Sequence, residues 1–211
     1  MKRILLTSKG FATEAIEQAF FRLFPVSPLT QKVAFIPTAA VNLKGKHPFI
    51  IEAKNQFIKW GFKTTDVIDI ECDNVSQLKE YDIIYIGGGN PFYLLEHLRN
   101  SGADEVITRK AASGGMIVGV SAGAIVLGPH LEIVQHFTPA LRTITKLENT
   151  FALGLFSFLF MPHVDRADVF PGQLSIEERL QIFERGFHVK VKRLKDHEAL
   201  LLRGEEIVKI G

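Results

Sequence analysis

The feature that most constrains the fold is the alternation of apolar, β-type runs with segments of helical periodicity. Such alternation is typical of a parallel sheet covered by helices on both faces. Most runs are continuously apolar, as in strands that are buried on both sides. We therefore predict an α/β protein with strands at Arg3–Thr7, Val33–Pro37, Val67–Ile70, Ile83–Ile86, Met116–Val120 and Leu155–Met161. The predicted helices are Thr13–Phe24, Pro48–Trp60, Pro91–Asn100, Ala103–Ala112 and Ile176–Arg185.

The last part of the chain has a different pattern. Val189–Leu194, Ala199–Arg203 and Ile207–Ile210 are short apolar runs separated by turn residues, with Gly204 between the last two. We predict that they add antiparallel strands to the parallel sheet. No repeat, low-complexity tract or Pro/Ser-rich linker interrupts the sequence, so residues 1–211 are predicted to form a single domain.

The composition excludes several classes of protein. Hydrophobic residues make up 46% of the 211 residues and charged residues 23%, which is too apolar for a disordered chain. The 25 Lys and Arg residues against 23 Asp and Glu leave a net charge of +2 without long runs of one sign, so we expect no nucleic-acid partner. Cys72 is the single cysteine, which excludes a disulfide framework and a multi-cysteine zinc site and favours a reducing, cytoplasmic location.

Two segments have the length or polarity of membrane-directed sequences but lack their other features. The apolar run within Met1–Thr7 stops at Lys9 without a cleavage pattern, so we interpret it as the first strand. The uncharged stretch Ala111–Pro129 contains five glycines and two serines, so a membrane span is not expected. We predict no membrane partner, and either a monomer or a homodimer.

A G-x-S-x-G motif directly follows the predicted strand Met116–Val120. Its central residue is Ser121, flanked by Gly119 and Gly123. A serine at a strand-to-helix turn is held in a strained conformation that exposes its hydroxyl, and this arrangement is called the nucleophile elbow. The N–H of Ala122 would then point at a developing oxyanion. The sequence therefore predicts a nucleophilic serine at position 121.

A second glycine cluster follows the strand Ile83–Ile86. Gly87-Gly88-Gly89-Asn90 leads into a helix with Pro91 in its first turn. It is not a dinucleotide-binding fingerprint, because Phe92 stands where G-x-G-x-x-G requires glycine, and no Gly-Lys-Ser/Thr of a P-loop follows. We expect backbone N–H groups of this loop to donate the second hydrogen bond to the oxyanion.

An activated serine needs a base, and His163 is the best placed of seven histidines. It follows the apolar run Leu155–Met161 and should emerge at the carboxyl end of a strand, where open α/β sheets place their sites. His163 with Asp165 and Asp168 offers metal-ligand types, but no metal-binding spacing accompanies them. We therefore predict neither a metal nor another cofactor.

Together these motifs resemble peptidase family S51. The resemblance rests on Gly87-Gly88-Gly89-Asn90, on Gly119-x-Ser121-Ala122-Gly123-Ala124 and on Pro162-His163, in this order. It implies a flavodoxin-like, class I glutamine-amidotransferase-like three-layer α/β sandwich that hydrolyses small peptides through a Ser-His-acid triad. The matching positions are Ser121 for the nucleophile, His163 for the base, Asp196 for the orienting acid with Glu198 as the second choice, and Gly88 and Ala122 for the oxyanion donors.

The substrate cleft departs from the family's aspartyl dipeptidases. The arginine that holds their substrate's aspartate matches Ile176 here, so strict aspartyl specificity is not expected. Arg166 and Arg179 are the candidate replacements, and Asn90 is a further candidate for the cleft. Two alternatives stay open from sequence: an esterase or amidase with the same triad, and a catalytically silent binding or regulatory protein on the same fold.

Overall fold

A seven-stranded sheet forms the centre of the protein. The computed structural model describes all residues 1–211. The strands are β1 (Arg3–Thr7), β2 (Lys32–Ile36), β3 (Thr64–Val67), β4 (Ile83–Ile86), β5 (Met116–Val120), β8 (Ala199–Arg203) and β9 (Glu206–Ile210). Their spatial order is β3-β2-β4-β5-β1-β8-β9, in which β8 runs antiparallel to both of its neighbours and all other neighbouring strands are parallel.

Helices cover both faces of this sheet. The α-helices are α1 (Glu14–Leu23), α2 (Pro48–Lys59), α3 (Pro91–Ser101), α4 (Ala103–Ala112), α5 (Ala122–Ile125), α6 (Glu132–Phe137) and α7 (Ile176–Phe187). Short 3₁₀ helices lie at Pro28–Thr30, Lys44–Lys46, Val75–Glu80 and Pro139–Ile144. None of the helices has the length and apolar character needed to cross a membrane.

The core is two apolar layers separated by the sheet, because successive residues of a strand point to opposite faces. Leu5 packs with α1 and α2 on one face, whereas its neighbours Ile4 and Leu6 pack with the remaining helices on the other. The predicted three-layer α/β sandwich is therefore confirmed, including the antiparallel strands at its C-terminal end. A capping box between Ser175 and Glu178 begins α7.

Three strands differ in the structure from their predicted ranges, those near residues 70, 160 and 190. The third strand ends at Val67, because the N–H groups of Asp69 and Ile70 bond to the side chains of Asp73 and Thr38 instead of a neighbouring strand. The strands β6 (Leu159–Met161) and β7 (Val191–Arg193) are shorter than predicted. They pair with each other in parallel as a separate two-stranded sheet, so the run at 189–194 does not add an antiparallel strand to the main sheet.

Candidate active site

Ser121 forms a sharp turn between β5 and α5. Its backbone has φ 51° and ψ −114°, which a side-chain-bearing residue adopts only at a cost of about 1–3 kcal/mol. The turn is held by a 2.8 Å hydrogen bond that the Ser121 N–H donates to the carbonyl of Thr7 at the end of β1. This is the strained strand-to-helix geometry that the G-x-S-x-G motif predicts.

The glycine at 123 allows the Ser121 turn to pack against the glycine loop after β4. A Cβ atom on Gly123 would lie 2.1 Å from the carbonyl oxygen of Ile86, so only glycine fits there. This close approach brings Gly88 next to the serine, since a Cβ atom on Gly88 would be 3.2 Å from that of Ser121. The N–H groups of Gly88 and Ala122 make no hydrogen bond within the protein.

His163 reaches Ser121 from the loop that follows β6. Its Nε2 is 3.0 Å from the Oγ of Ser121. His163 also has a positive φ of 57°, and its N–H donates to the Oγ of Ser8 at 3.2 Å. The two strained residues are thus each anchored to the end of β1, through Thr7 and Ser8.

Asp196 lies on the other side of the His163 ring. Because β6 and β7 pair in parallel with Met161 opposite Arg193, the residues that follow both strands meet at the same end. The Nδ1 of His163 is 2.5 Å from the Oδ1 of Asp196, and both side chains are about 15% exposed. The structure therefore brings together Ser121, His163 and Asp196, the three residues predicted for the triad.

Arg166 also contacts the Asp196 carboxylate. The Nη1 of Arg166 donates to its Oδ2 at 2.8 Å. Burial alone would raise the pKa of Asp196, but hydrogen bonds from His163 and Arg166 outweigh it and leave this pKa below its ordinary value. The carboxylate thus stays ionised at neutral pH.

Glu198, the second choice for the acid, is directed away from His163. Its Oε2 accepts a 2.8 Å hydrogen bond from the N–H of Lys195 and pairs with the Nζ of Lys209 at 2.9 Å. Burial tends to raise the pKa of Glu198, yet these donors lower it overall. The contacts of Glu198 are those of a residue that fixes the turn between β7 and β8.

The three cleft candidates are all bonded within the protein. Asn90 caps α3: its Oδ1 accepts from the N–H groups of Phe92 and Tyr93, and its Nδ2 donates to a carbonyl. Arg179 lies over the ring of Phe137 and donates to two backbone carbonyls. Arg166 binds Asp168 and Asp196. None of the three side chains is free to bind a substrate carboxylate without giving up these bonds.

Ser8 is the residue at this site that sequence reasoning missed. It is 1% exposed. Its hydroxyl accepts a hydrogen bond from the N–H of His163 and donates one to the carbonyl of Leu194 at 3.1 Å. It therefore joins the end of β1 to both segments that carry His163 and Asp196. Its position in the sequence could have indicated a role, because Ser8 directly follows β1 at the carboxyl edge of the sheet. Its hydrogen-bond partners, however, are 155 and 186 residues away in sequence.

Comparisons with known proteins place this chain in a sequence family. Residues 4–210 match the sequence model of peptidase family S51. An uncharacterized peptidase of Listeria monocytogenes is 28% identical over 99% of this chain and 98% of its own length. Peptidase E of Streptomyces coelicolor is 30% identical over 92% of this chain and 76% of its own.

Solved structures give the same result. The crystal structure of a candidate peptidase E protein from Listeria monocytogenes EGD-e superposes with a TM-score of 0.74. It is 28% identical, and the match covers 99% of this chain and 98% of that one. The chain belongs to peptidase family S51 and is thus a hydrolase of the serine-peptidase type.

Proposed function

We propose that this protein hydrolyses small peptides, with Ser121 as nucleophile, His163 as general base and Asp196 as the orienting carboxylate. The observation that carries the proposal is the continuous chain of contacts from the Ser121 hydroxyl through the imidazole to Asp196, at 3.0 and 2.5 Å. Three residues from distant parts of the sequence meet in the geometry that activates a serine.

The contacts assign a role to each group during acylation. Asp196 accepts the Nδ1–H of His163, so Nε2 is unprotonated and faces the Ser121 hydroxyl. As the Ser121 Oγ attacks the peptide carbonyl, its proton passes to Nε2. The same proton then goes to the departing amine, and the acyl group stays on the serine. In the second half, His163 takes a proton from a water molecule as the water oxygen bonds to the acyl carbon. His163 then returns this proton to the Ser121 Oγ as the acyl carbon–Oγ bond breaks, which releases the acid and restores the serine.

The oxyanion of each tetrahedral intermediate is proposed to bind the N–H groups of Gly88 and Ala122. Support comes from the contact of Gly88 with Ser121 and from the position of Ala122 directly after it. Removal of one oxyanion donor in a serine peptidase lowers turnover by a factor of about 10²–10³. The pair therefore lowers the activation free energy by several kcal/mol.

The substrate side chain is proposed to be neutral. Ile176, at the position of the arginine in the family's aspartyl dipeptidases, is 7% exposed and packed in the core. The ring of Phe170, whose centroid is 6.5 Å from that of His163, adds an apolar surface beside the base. Since Arg166 and Arg179 are bonded elsewhere, an aspartyl side chain gains no charge-assisted bond here, which is ordinarily worth about 1.5–3 kcal/mol.

Hydrolysis of a dipeptide panel by wild type and Ser121→Ala tests this function. We expect wild type to release amines from neutral dipeptides, and Ser121→Ala to be slower by a factor on the order of 10⁴–10⁶. Ser113→Ala is the matched control, because Ser113 is exposed and its hydroxyl contacts only the Lys110 carbonyl. Activity of Ser121→Ala within tenfold of wild type contradicts the proposal, and hydrolysis of esters but of no peptide favours the esterase alternative.

A further inference from the structure

Both oxygens of the Asp196 carboxylate are occupied by different donors. Oδ1 accepts from His163 and Oδ2 accepts from Arg166 at 2.8 Å. The backbone N–H of Asp196 is also fixed, by a 3.0 Å bond to the Oδ1 of Asp165. A carboxylate held at both oxygens and at its own backbone keeps one orientation toward the imidazole.

Arg166 is itself held in place from the opposite side. Its Nε and Nη2 donate to the two oxygens of Asp168 at 2.8 and 2.7 Å, a bidentate pair that fixes the plane of the guanidinium. Its backbone N–H donates to the carbonyl of His163 at 2.9 Å, so the arginine lies on the same turn as the base. Hydrogen bonds from Arg166 lower the pKa of Asp168 to about 2, and the pair therefore persists throughout the neutral range.

We propose that Arg166 is a positioning residue for the triad rather than a substrate-binding cation. It holds the Asp196 carboxylate against His163, and its positive charge offsets part of the negative charge of the carboxylates around the imidazole. This inference rests on the proposed function, since it assigns a role within the same triad. It replaces the sequence-based expectation that Arg166 lines the cleft for a substrate carboxylate.

Charged groups of both signs surround the imidazole of His163. The anionic groups that act on His163 are Asp196, in contact with its ring, and Asp168. The exposed Asp165 lies on the same turn, and the Ser121 hydroxyl and the Phe170 ring complete the surroundings. Negative charge stabilises a proton on a neighbouring group, and positive charge destabilises it. We therefore expect loss of Arg166 to move the acid limb of the activity profile, the part in which activity rises with pH, to higher pH.

The test is the pH profile of kcat/KM for Arg166→Met, Arg166→Lys and wild type on one neutral dipeptide. We expect the acid limb of Arg166→Met to move up by about 0.5–1 pH unit, as expected for loss of a charge several ångströms away near the surface. We expect kcat to fall by about 10–100-fold, because the carboxylate is no longer held, with KM changed less than threefold. Arg166→Lys keeps the charge, so its acid limb should stay within about 0.3 pH unit of wild type, with only partial recovery of kcat.

Arg109→Met is the control for the loss of a positive charge. Arg109 is 74% exposed on α4 and pairs with Glu105, so its profile should match that of wild type. An unchanged acid limb and kcat in Arg166→Met overturn the inference. A rise in KM confined to substrates with a side-chain carboxylate also overturns it and returns Arg166 to the cleft.

The two proposals fail in different ways. If wild type hydrolyses peptides in a Ser121-dependent manner and Arg166→Met behaves like wild type, only the role of Arg166 is wrong. If wild type has no Ser121-dependent activity, the proposed function is wrong and this inference is refuted with it. If Arg166→Met fails to fold, Arg166→Lys decides. An acid limb of kcat/KM that moves by about 0.5 pH unit or more although the charge is retained contradicts the electrostatic role.

Discussion

Replacing Asp196 by asparagine tests the orienting carboxylate without changing its size. An asparagine has one acceptor and one donor group where Asp196 has two acceptors. If the amide oxygen stays on Arg166, the NH₂ group faces Nδ1 of His163 and forces the ring proton onto Nε2, which then cannot take the serine proton. If the amide flips, its NH₂ group faces the guanidinium, donor against donor. Arg166 therefore locks the unfavourable orientation.

The expected loss for Asp196→Asn is on the order of 10⁴ in kcat, the cost of the wrong tautomer in serine peptidases. This corresponds to about 5.4 kcal/mol in the activation free energy. The assay is steady-state hydrolysis of one neutral dipeptide at pH 7.5, with circular dichroism as a check of the fold. A loss of less than tenfold in folded Asp196→Asn refutes the tautomer argument.

Glu198→Gln is the matched control, because Glu198 bonds to Lys195 and Lys209 and not to His163. We expect its kcat to stay within about threefold of wild type, since an exchange that leaves the catalytic hydrogen bonds intact removes no transition-state interaction. If Glu198→Gln loses as much activity as Asp196→Asn, the acid has been assigned to the wrong residue.

Three further predictions concern specificity, the oxyanion site and stability. Asp-Xaa dipeptides should not exceed Ala-Xaa dipeptides in kcat/KM by a hundredfold, or ~2.7 kcal/mol; a larger ratio shows that a cation serves the cleft. Gly88→Ala keeps the backbone N–H but places a methyl group 3.2 Å from the Cβ of Ser121, so the serine must shift and kcat should fall by about 10-fold to 10²-fold while circular dichroism stays unchanged; full activity contradicts this placement. Hydrogen bonds from Arg193 lower the pKa of Glu184 from 4.5 to about 2, so this pair stabilises the fold above pH 4.5 and its contribution is lost as the pH falls toward 2. Arg193→Met should therefore lower the free energy of unfolding by about 2 kcal/mol at pH 7 and by much less at pH 2.5 in urea titrations, and an equal loss at both pH values contradicts the assignment.

The residues whose role depends on local sequence were the most predictable. A buried strand followed by G-x-S-x-G predicts the turn at Ser121, because every part of the motif lies within a few residues. His163 was found in a similar way, from its place after an apolar run. Both expectations concern where one side chain stands relative to its own strand.

Long-range pairing accounts for what the sequence did not reveal. The partner of β6 is β7, about 30 residues later, and nothing in either apolar run indicates parallel pairing in a separate sheet. The choice between Asp196 and Glu198 depends on the direction of side chains in one turn, which hydrogen bonds to Lys195 fix. The role of Ser8 depends on a contact with Leu194, which is 186 residues away in sequence.

Covalent labelling tests the claim that His163 activates the Ser121 hydroxyl. A fluorophosphonate that reacts only with activated serines is incubated with the protein, and the modified peptide is located by mass spectrometry. We expect one adduct, on Ser121, that is absent from Ser121→Ala and forms at least a hundredfold more slowly in His163→Ala. An adduct on a different residue, or labelling of Ser121 that is as fast in His163→Ala as in wild type, contradicts the claim.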